Sequence, residues 1–193
     1  SDAPTSGTYV NVFSTRGAFA ALTSTGSIKV WGSSSYGGSN APGIEYVNIF
    51  STNSAFAALK DDGYIFAWGD QNNGGTGNIG GKFTNVFSTC CAFAALKDDE
   101  SITVWGHVFY GGSGAPSSGK FTNIFSTAGA FAALKDDGSI KAWGFSDYGG
   151  SDAPTIGTYV NVFSTDSAFA ALKDDGSIKA WGSSSSGGSG APS

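Results

Sequence analysis

Three copies of Asp-Asp-Gly, at Asp61-Asp62-Gly63, Asp136-Asp137-Gly138 and Asp174-Asp175-Gly176, put paired carboxylates beside a glycine. Carboxylates with backbone carbonyls suit calcium, but a calcium loop needs alternating oxygen ligands over about a dozen positions. The runs are therefore read as solvated hairpin turns in which Asp and Gly serve backbone geometry. Cys90 and Cys91 are adjacent, whereas a zinc site needs more ligands at wider spacing. They fall where the other units carry tight-turn residues; two free thiols are the simpler reading, and a vicinal disulfide stiffening the turn is the other. His107 is the only His and has no Cys or Ser motif to pair with it. No catalytic residue, cofactor or metal site is read, and the chain is expected not to be an enzyme.

Two further sets of residues recur once in every unit. Asn11, Asn48, Asn85, Asn123 and Asn161 each sit in the middle of an apolar stretch. A buried amide must find partners, so one reading is hydrogen bonding between units. The other is a ring of amides lining a central channel that holds water or a small polar ligand. Each unit also has one Trp, read as a core wedge whose indole N–H bonds a linker carbonyl. Five equivalent sugar-stacking platforms, as in a multivalent lectin-like propeller, are the alternative.

The elements that position these residues follow from the repeat. Trp-Gly occurs at Trp31, Trp68, Trp105, Trp143 and Trp181, at steps of 37, 37, 38 and 38 residues. A fixed period in this range signals a solenoid, propeller or array. In the last unit, Tyr159–Thr165 alternates Val160 and Val162 against Tyr159, Asn161 and Phe163, which predicts a strand. The next segment puts Ala168, Ala170 and Leu172 on one face and Phe169 and Ala171 on the other. Both faces are apolar, so this strand lies between two layers. Asp-Asp-Gly then turns the chain into a third strand ending at Trp181. A fourth short strand is expected at Tyr148-Gly149-Gly150 and its equivalents.

The expected fold is all-β: a five-bladed β-propeller of 37–38-residue repeats, with three to four short antiparallel strands per blade. Blades are placed at about 1–38, 39–75, 76–112, 113–150 and 151–188, with 189–193 beginning a sixth linker. Ala-rich faces opposite Phe/Trp-rich faces make the blades complementary. An open β-solenoid is the competing architecture, and its capping repeats are not visible. The linkers Ser1–Thr5 and Ser189–Ser193 match, so in a closed ring of five they would compete for one position. One end is then displaced, or the chain belongs to a longer array.

Composition narrows the function classes. Ten Lys and Arg against fifteen Asp and Glu give a net charge of −5, with Arg16 the only Arg. Scattered cations cannot neutralise a phosphate backbone, so nucleic acid is excluded as a partner. No apolar run approaches the ~18 residues of a spanning helix, so a soluble protein without a membrane span is expected. The chain has no Met, and Ser1 is read as a processed terminus or the edge of an excised segment. An acidic, Ser/Gly-rich chain favours secretion or an organelle lumen over the cytoplasm.

The run Ala171–Gly182, Ala-Leu-Lys-Asp-Asp-Gly-Ser-Ile-Lys-Ala-Trp-Gly, resembles the core of the RCC1-type (regulator of chromosome condensation) propeller repeat, and the likeness recurs in all five units. It implies a blade. It departs from the family where "GQLG" is replaced by Tyr36-Gly37-Gly38 and its equivalents. The units are also shorter, and five are present where founding members have seven. Nothing matches the loops that carry nucleotide exchange, so a GTPase regulator is the remoter reading.

Residues found in one unit only cluster in the third: Cys90, Cys91, Glu100, Thr103, His107, Val108 and Phe109. An asymmetric surface for a protein partner is expected there. The overall expectation is a scaffold or protein-binding module within a larger assembly, with a glycan as the alternative partner.

Overall fold

Five antiparallel sheets, one per repeat, wind around an axis in a computed structural model that describes residues 2–192. Ser1 and Ser193, the outermost residues of the two terminal linkers, lie outside the described residues. Blade one contains β1 (Tyr9–Ser14), β2 (Ala18–Thr23) and β3 (Ile28–Gly32). Blade two contains β4 (Tyr46–Ser51), β5 (Ala55–Lys60), β6 (Ile65–Gly69) and β7 (Gly77–Ile79). Blade three contains β8 (Phe83–Ser88), β9 (Ala92–Lys97) and β10 (Ile102–Gly106). Blade four contains β11 (Phe121–Ser126), β12 (Ala130–Lys135) and β13 (Ile140–Gly144), and blade five β14 (Tyr159–Ser164), β15 (Ala168–Lys173) and β16 (Ile178–Gly182). The fold is the five-bladed β-propeller that the repeat predicts.

Two local expectations are corrected. Tyr36-Gly37-Gly38 and its equivalents form no fourth strand; Ser34–Tyr36 and its four counterparts are single 3-10 turns, each closed by a glycine with positive φ. The fourth strand, β7, comes instead from the linker without Ala-Pro and pairs with β6 through Phe66 and Asn78. A proline has no N–H to give such a ladder, which keeps the Ala-Pro linkers out of it. The alternation of Val160 and Val162 is also broken. In all five blades the register shifts beside the Asn, as between Tyr159 and Asn161, forming a β-bulge that turns Tyr159 and Val162 inward and leaves Val160 exposed.

The two apolar faces meet as expected. The Ala130, Ala132, Leu134 and Ile140 face of blade four packs on Tyr159, Val162, Phe169 and Trp181 of blade five. The same pairing joins blades one and two, two and three, and three and four. Each seam is pinned by the Trp wedge, whose indole N–H donates to a carbonyl in the preceding blade. Trp68 bonds Gly37 at 3.0 Å, Trp105 Gly74 at 3.1 Å, Trp143 Gly111 at 3.1 Å and Trp181 Gly149 at 3.0 Å. The acceptor must be glycine, because a Cβ on Gly111 would lie 2.5 Å from the Phe131 ring, on a backbone with φ of +97°.

Blades five and one do not make this seam. Phe19 is 46% exposed and Val12 53%, although Phe56, Phe93, Phe131 and Phe169 are at most 1% exposed. Across the gap, Phe163 is 57% exposed. Among the described residues no hydrogen bond joins the two blades, and Trp31 donates to no carbonyl. The five blades therefore form an arc with one open seam.

Candidate functional site

The turn between the first and second strands of every blade points at the axis. These five Ser-Thr-x turns line a cavity of about 660 Å³. Each Thr fixes its turn through its hydroxyl. In blade four, Thr127 Oγ1 accepts from the Ala130 N–H at 3.0 Å and donates to the Tyr148 carbonyl at 2.9 Å, tying the turn to the 3-10 turn of the same blade. Thr15, Thr52, Thr89 and Thr165 make the same link. The third residue of each turn passes a backbone bond to the next blade: Arg16 N–H to Asn53, Asn53 to Cys90, Cys90 to Ala128 and Ala128 to Asp166, at 2.8–2.9 Å. That belt stops at Asp166, at the open seam.

The residues carrying the belt are Arg16, Asn53, Cys90, Ala128 and Asp166, all five different. Within the strands and the turns joining them, this is the one position at which no two units agree. A near-invariant frame of Ser and Thr thus presents five unlike side chains to one cavity. The signal was in the aligned repeats, but a turn residue's direction relative to the axis is set by how blades stack.

The five Asn do not line this cavity, which corrects the channel-lining expectation. The Oδ1 of Asn11, Asn48, Asn85, Asn123 and Asn161 accepts the N–H of the next residue at 2.9 Å in every case. The amide satisfies the bulge of its own strand and leaves neighbouring blades alone. The sugar-stacking reading of the Trp residues also loses its geometry, because Trp68, Trp105, Trp143 and Trp181 are buried in the seams.

The residues singled out in the third unit separate into two places. Cys90 and Cys91 sit at the axial end of the blade as free thiols with their sulfurs 2.7 Å apart. Burial, reinforced by the Cys91 thiol, pushes the Cys90 thiol up to about 12, so it stays protonated at neutral pH and is a poor nucleophile. His107, Val108 and Phe109 lie at this same end, where the His107 N–H donates to the Cys91 carbonyl at 2.9 Å. Glu100 is at the opposite end, in the hairpin turn, with φ of +66° and an ion pair to Lys120 at 3.3 Å.

Around His107 the rings form a ridge that crosses from blade three to blade four. His107 stands 5.9 Å from Phe109 and 5.0 Å from Tyr110, Tyr110 is 5.9 Å from Phe145, and Phe145 is 5.6 Å from Tyr148. Val108 and Phe109 are more than 60% exposed. Phe145, which sequence reasoning missed, occupies the slot held by Ser33, Asp70, His107 and Ser183 in the other units. His107 Nδ1 is buried with no hydrogen-bond partner among the described residues.

The Asp-Asp-Gly turns serve their own geometry. Asp137 Oδ1 accepts from the Ser139 hydroxyl at 2.6 Å and from its N–H at 2.9 Å; Asp175 and, in the Asp-Asp-Glu turn of blade three, Asp99 are arranged alike, while Asp62 accepts the Tyr64 N–H at 3.3 Å. The Ser hydroxyl first, and the backbone N–H second, hold the Asp99, Asp137 and Asp175 carboxyls below their usual range. A depressed carboxylate stabilises the fold above its unfolded pKa, and that contribution is lost as pH falls through the folded value. Ser139→Ala should raise the Asp137 pKa in an NMR titration of its side-chain carboxyl; an unmoved titration would contradict the assigned cause.

No family model matches the chain, and no curated protein matches it. Solved structures share its fold. The ectodomain of the receptor kinase CR4 from Physcomitrella patens is 18% identical with a TM-score of 0.64, covering 91% of this chain and 50% of its own. The CRINKLY WD40 ectodomain of the receptor kinase ACR4 from Arabidopsis thaliana is 19% identical with a TM-score of 0.63, over 96% of this chain and 68% of its own. Prp20p from Saccharomyces cerevisiae, described with its binding to Gsp1p and histones, is 17% identical with a TM-score of 0.59, over 90% and 58%. This chain spans half to about two thirds of the length of these structures. At such identities the likeness establishes the propeller fold. Among the described residues no helix is long and apolar enough to cross a membrane.

Proposed function

We propose that this chain is a non-enzymatic, RCC1-like propeller scaffold that binds a protein partner through the aromatic ridge of blades three and four. The observation that carries this reading is the ridge itself. Val108, Phe109 and Phe145 expose large apolar side chains where blades one, two and five carry Ser, Gln, Asn or Asp. Exposed apolar and aromatic groups clustered on one rim favour protein contacts. The described binding of Prp20p to Gsp1p and histones supports a protein as the partner class.

Affinity capture from the source cells tests it, with wild type against a Phe109→Ser/Phe145→Ser variant. Both substitutions sit at solvent-facing positions, so the thermal midpoint should hold while capture of the partner falls at least tenfold, on the order of a lost hot spot. Equal capture by both proteins would contradict the reading.

The cavity favours a second reading, a small polar ligand such as a glycan held on the axis by the five variable turn residues. Glycan-array binding weakened by Asn53→Ala would support it, and a blank array would count against it. The GTPase-regulator reading requires acceleration of nucleotide release, which a nucleotide-exchange assay measures.

A further inference from the structure

The open seam leaves two unlike faces that are halves of one interface. Blade one presents Val12, Phe19 and the Trp31 indole; blade five presents Phe163, Ala170 and the Gly187 carbonyl. At each of the four internal seams the equivalents of these groups are already joined. Phe169 of blade five covers Gly149 of blade four, for instance, and the Trp181 N–H reaches the Gly149 carbonyl at 3.0 Å. Nothing lies within 4 Å of the Cβ position of Gly187, whereas its counterparts Gly37, Gly74, Gly111 and Gly149 each meet a Phe ring. The belt stops in the same way, because no described residue accepts from the Asp166 N–H.

We propose that a second copy of this chain occupies the seam, its blade-one face docking on the blade-five face of the first. A blade of this repeat brings an indole N–H to such a glycine carbonyl and a Phe ring over that glycine at once, as at the four internal seams, and a second copy carries that blade. The contact continues an interface the molecule already makes four times. It is heterologous, since the two surfaces differ, so each copy retains one free face until the assembly closes into a ring or extends as a filament. Burying two exposed Phe side chains and Trp31 supplies the driving force.

Sedimentation velocity on the whole chain tests this. Wild type should grow in mean mass with concentration above the 19.5 kDa of one copy. Phe19→Lys and Phe163→Lys alter exposed positions, so each variant should keep its far-UV circular dichroism, and each alone should remain a single copy. An equimolar mixture of the two should give a species of twice that mass, because one intact blade-five face then meets one intact blade-one face. A wild-type chain that stays single from micromolar to millimolar concentration would overturn the proposal. So would association that survives in either variant alone, or a mixture that fails to pair.

Discussion

Phe131→Ala is expected to remove about 3–5 kcal/mol of stability, the cost of deleting a large aromatic from a close-packed interior. Phe131 is fully buried, lies over Gly111 and stacks on Trp143 with ring centroids 5.4 Å apart. It belongs to the core between blades three and four. In an array where each unit contacts only its neighbours, weakening a middle seam divides the molecule, so the loss should also broaden the unfolding transition. The same substitution at Phe19 is the internal control. That ring stacks on Trp31 at 5.2 Å but has no blade on its other side, and its loss should cost about 1 kcal/mol or less. Urea unfolding followed by Trp fluorescence measures both. Equal losses at the two sites would mean that blade one is packed like the others.

Thr127→Val should cost about 2–3 kcal/mol although it conserves side-chain shape, because buried polar groups left without partners carry their full desolvation penalty. Thr127 is 5% exposed, and its hydroxyl is the partner of both the Ala130 N–H and the Tyr148 carbonyl. Valine fills the space and serves neither group. Thr165 makes the same two bonds on blade five, but that turn is exposed beside the open seam. Water can replace the hydroxyl there, and Thr165→Val should stay within about 0.5 kcal/mol of wild type. A thermal or urea midpoint for each variant decides the comparison.

Much of the fold was legible in one repeat. Opposed Ala and Phe/Trp faces on a strand apolar on both sides led directly to the seams, and Trp at the end of the third strand led to the indole bond across them. Glu100 stands in the slot of a turn glycine and takes that slot's positive φ. What failed depended on groups outside the alternation pattern. The Asn amide captures the next N–H and bulges the strand, so Val160 turns outward while Val162 stays buried. The first glycine of each Gly-Gly pair adopts left-handed backbone and closes the 3-10 turn before it, which no strand pattern encodes.

The candidate site was less legible because its parts come from different repeats. The variable residues Arg16, Asn53, Cys90, Ala128 and Asp166 read individually as turn residues, and only the winding of the blades brings them to one cavity. Phe145 belongs with His107 and Tyr110 across a seam, so weighing each unit alone separated it from the ridge.

The indole N–H signals of the five Trp residues test the open arc most directly. In dilute, single-copy protein, hydrogen exchange followed by NMR should find four indoles protected by their bonds to Gly37, Gly74, Gly111 and Gly149. The fifth should exchange rapidly and disappear from the spectrum of Trp31→Phe, which assigns it. Five equally protected indoles would show a closed ring and contradict the account.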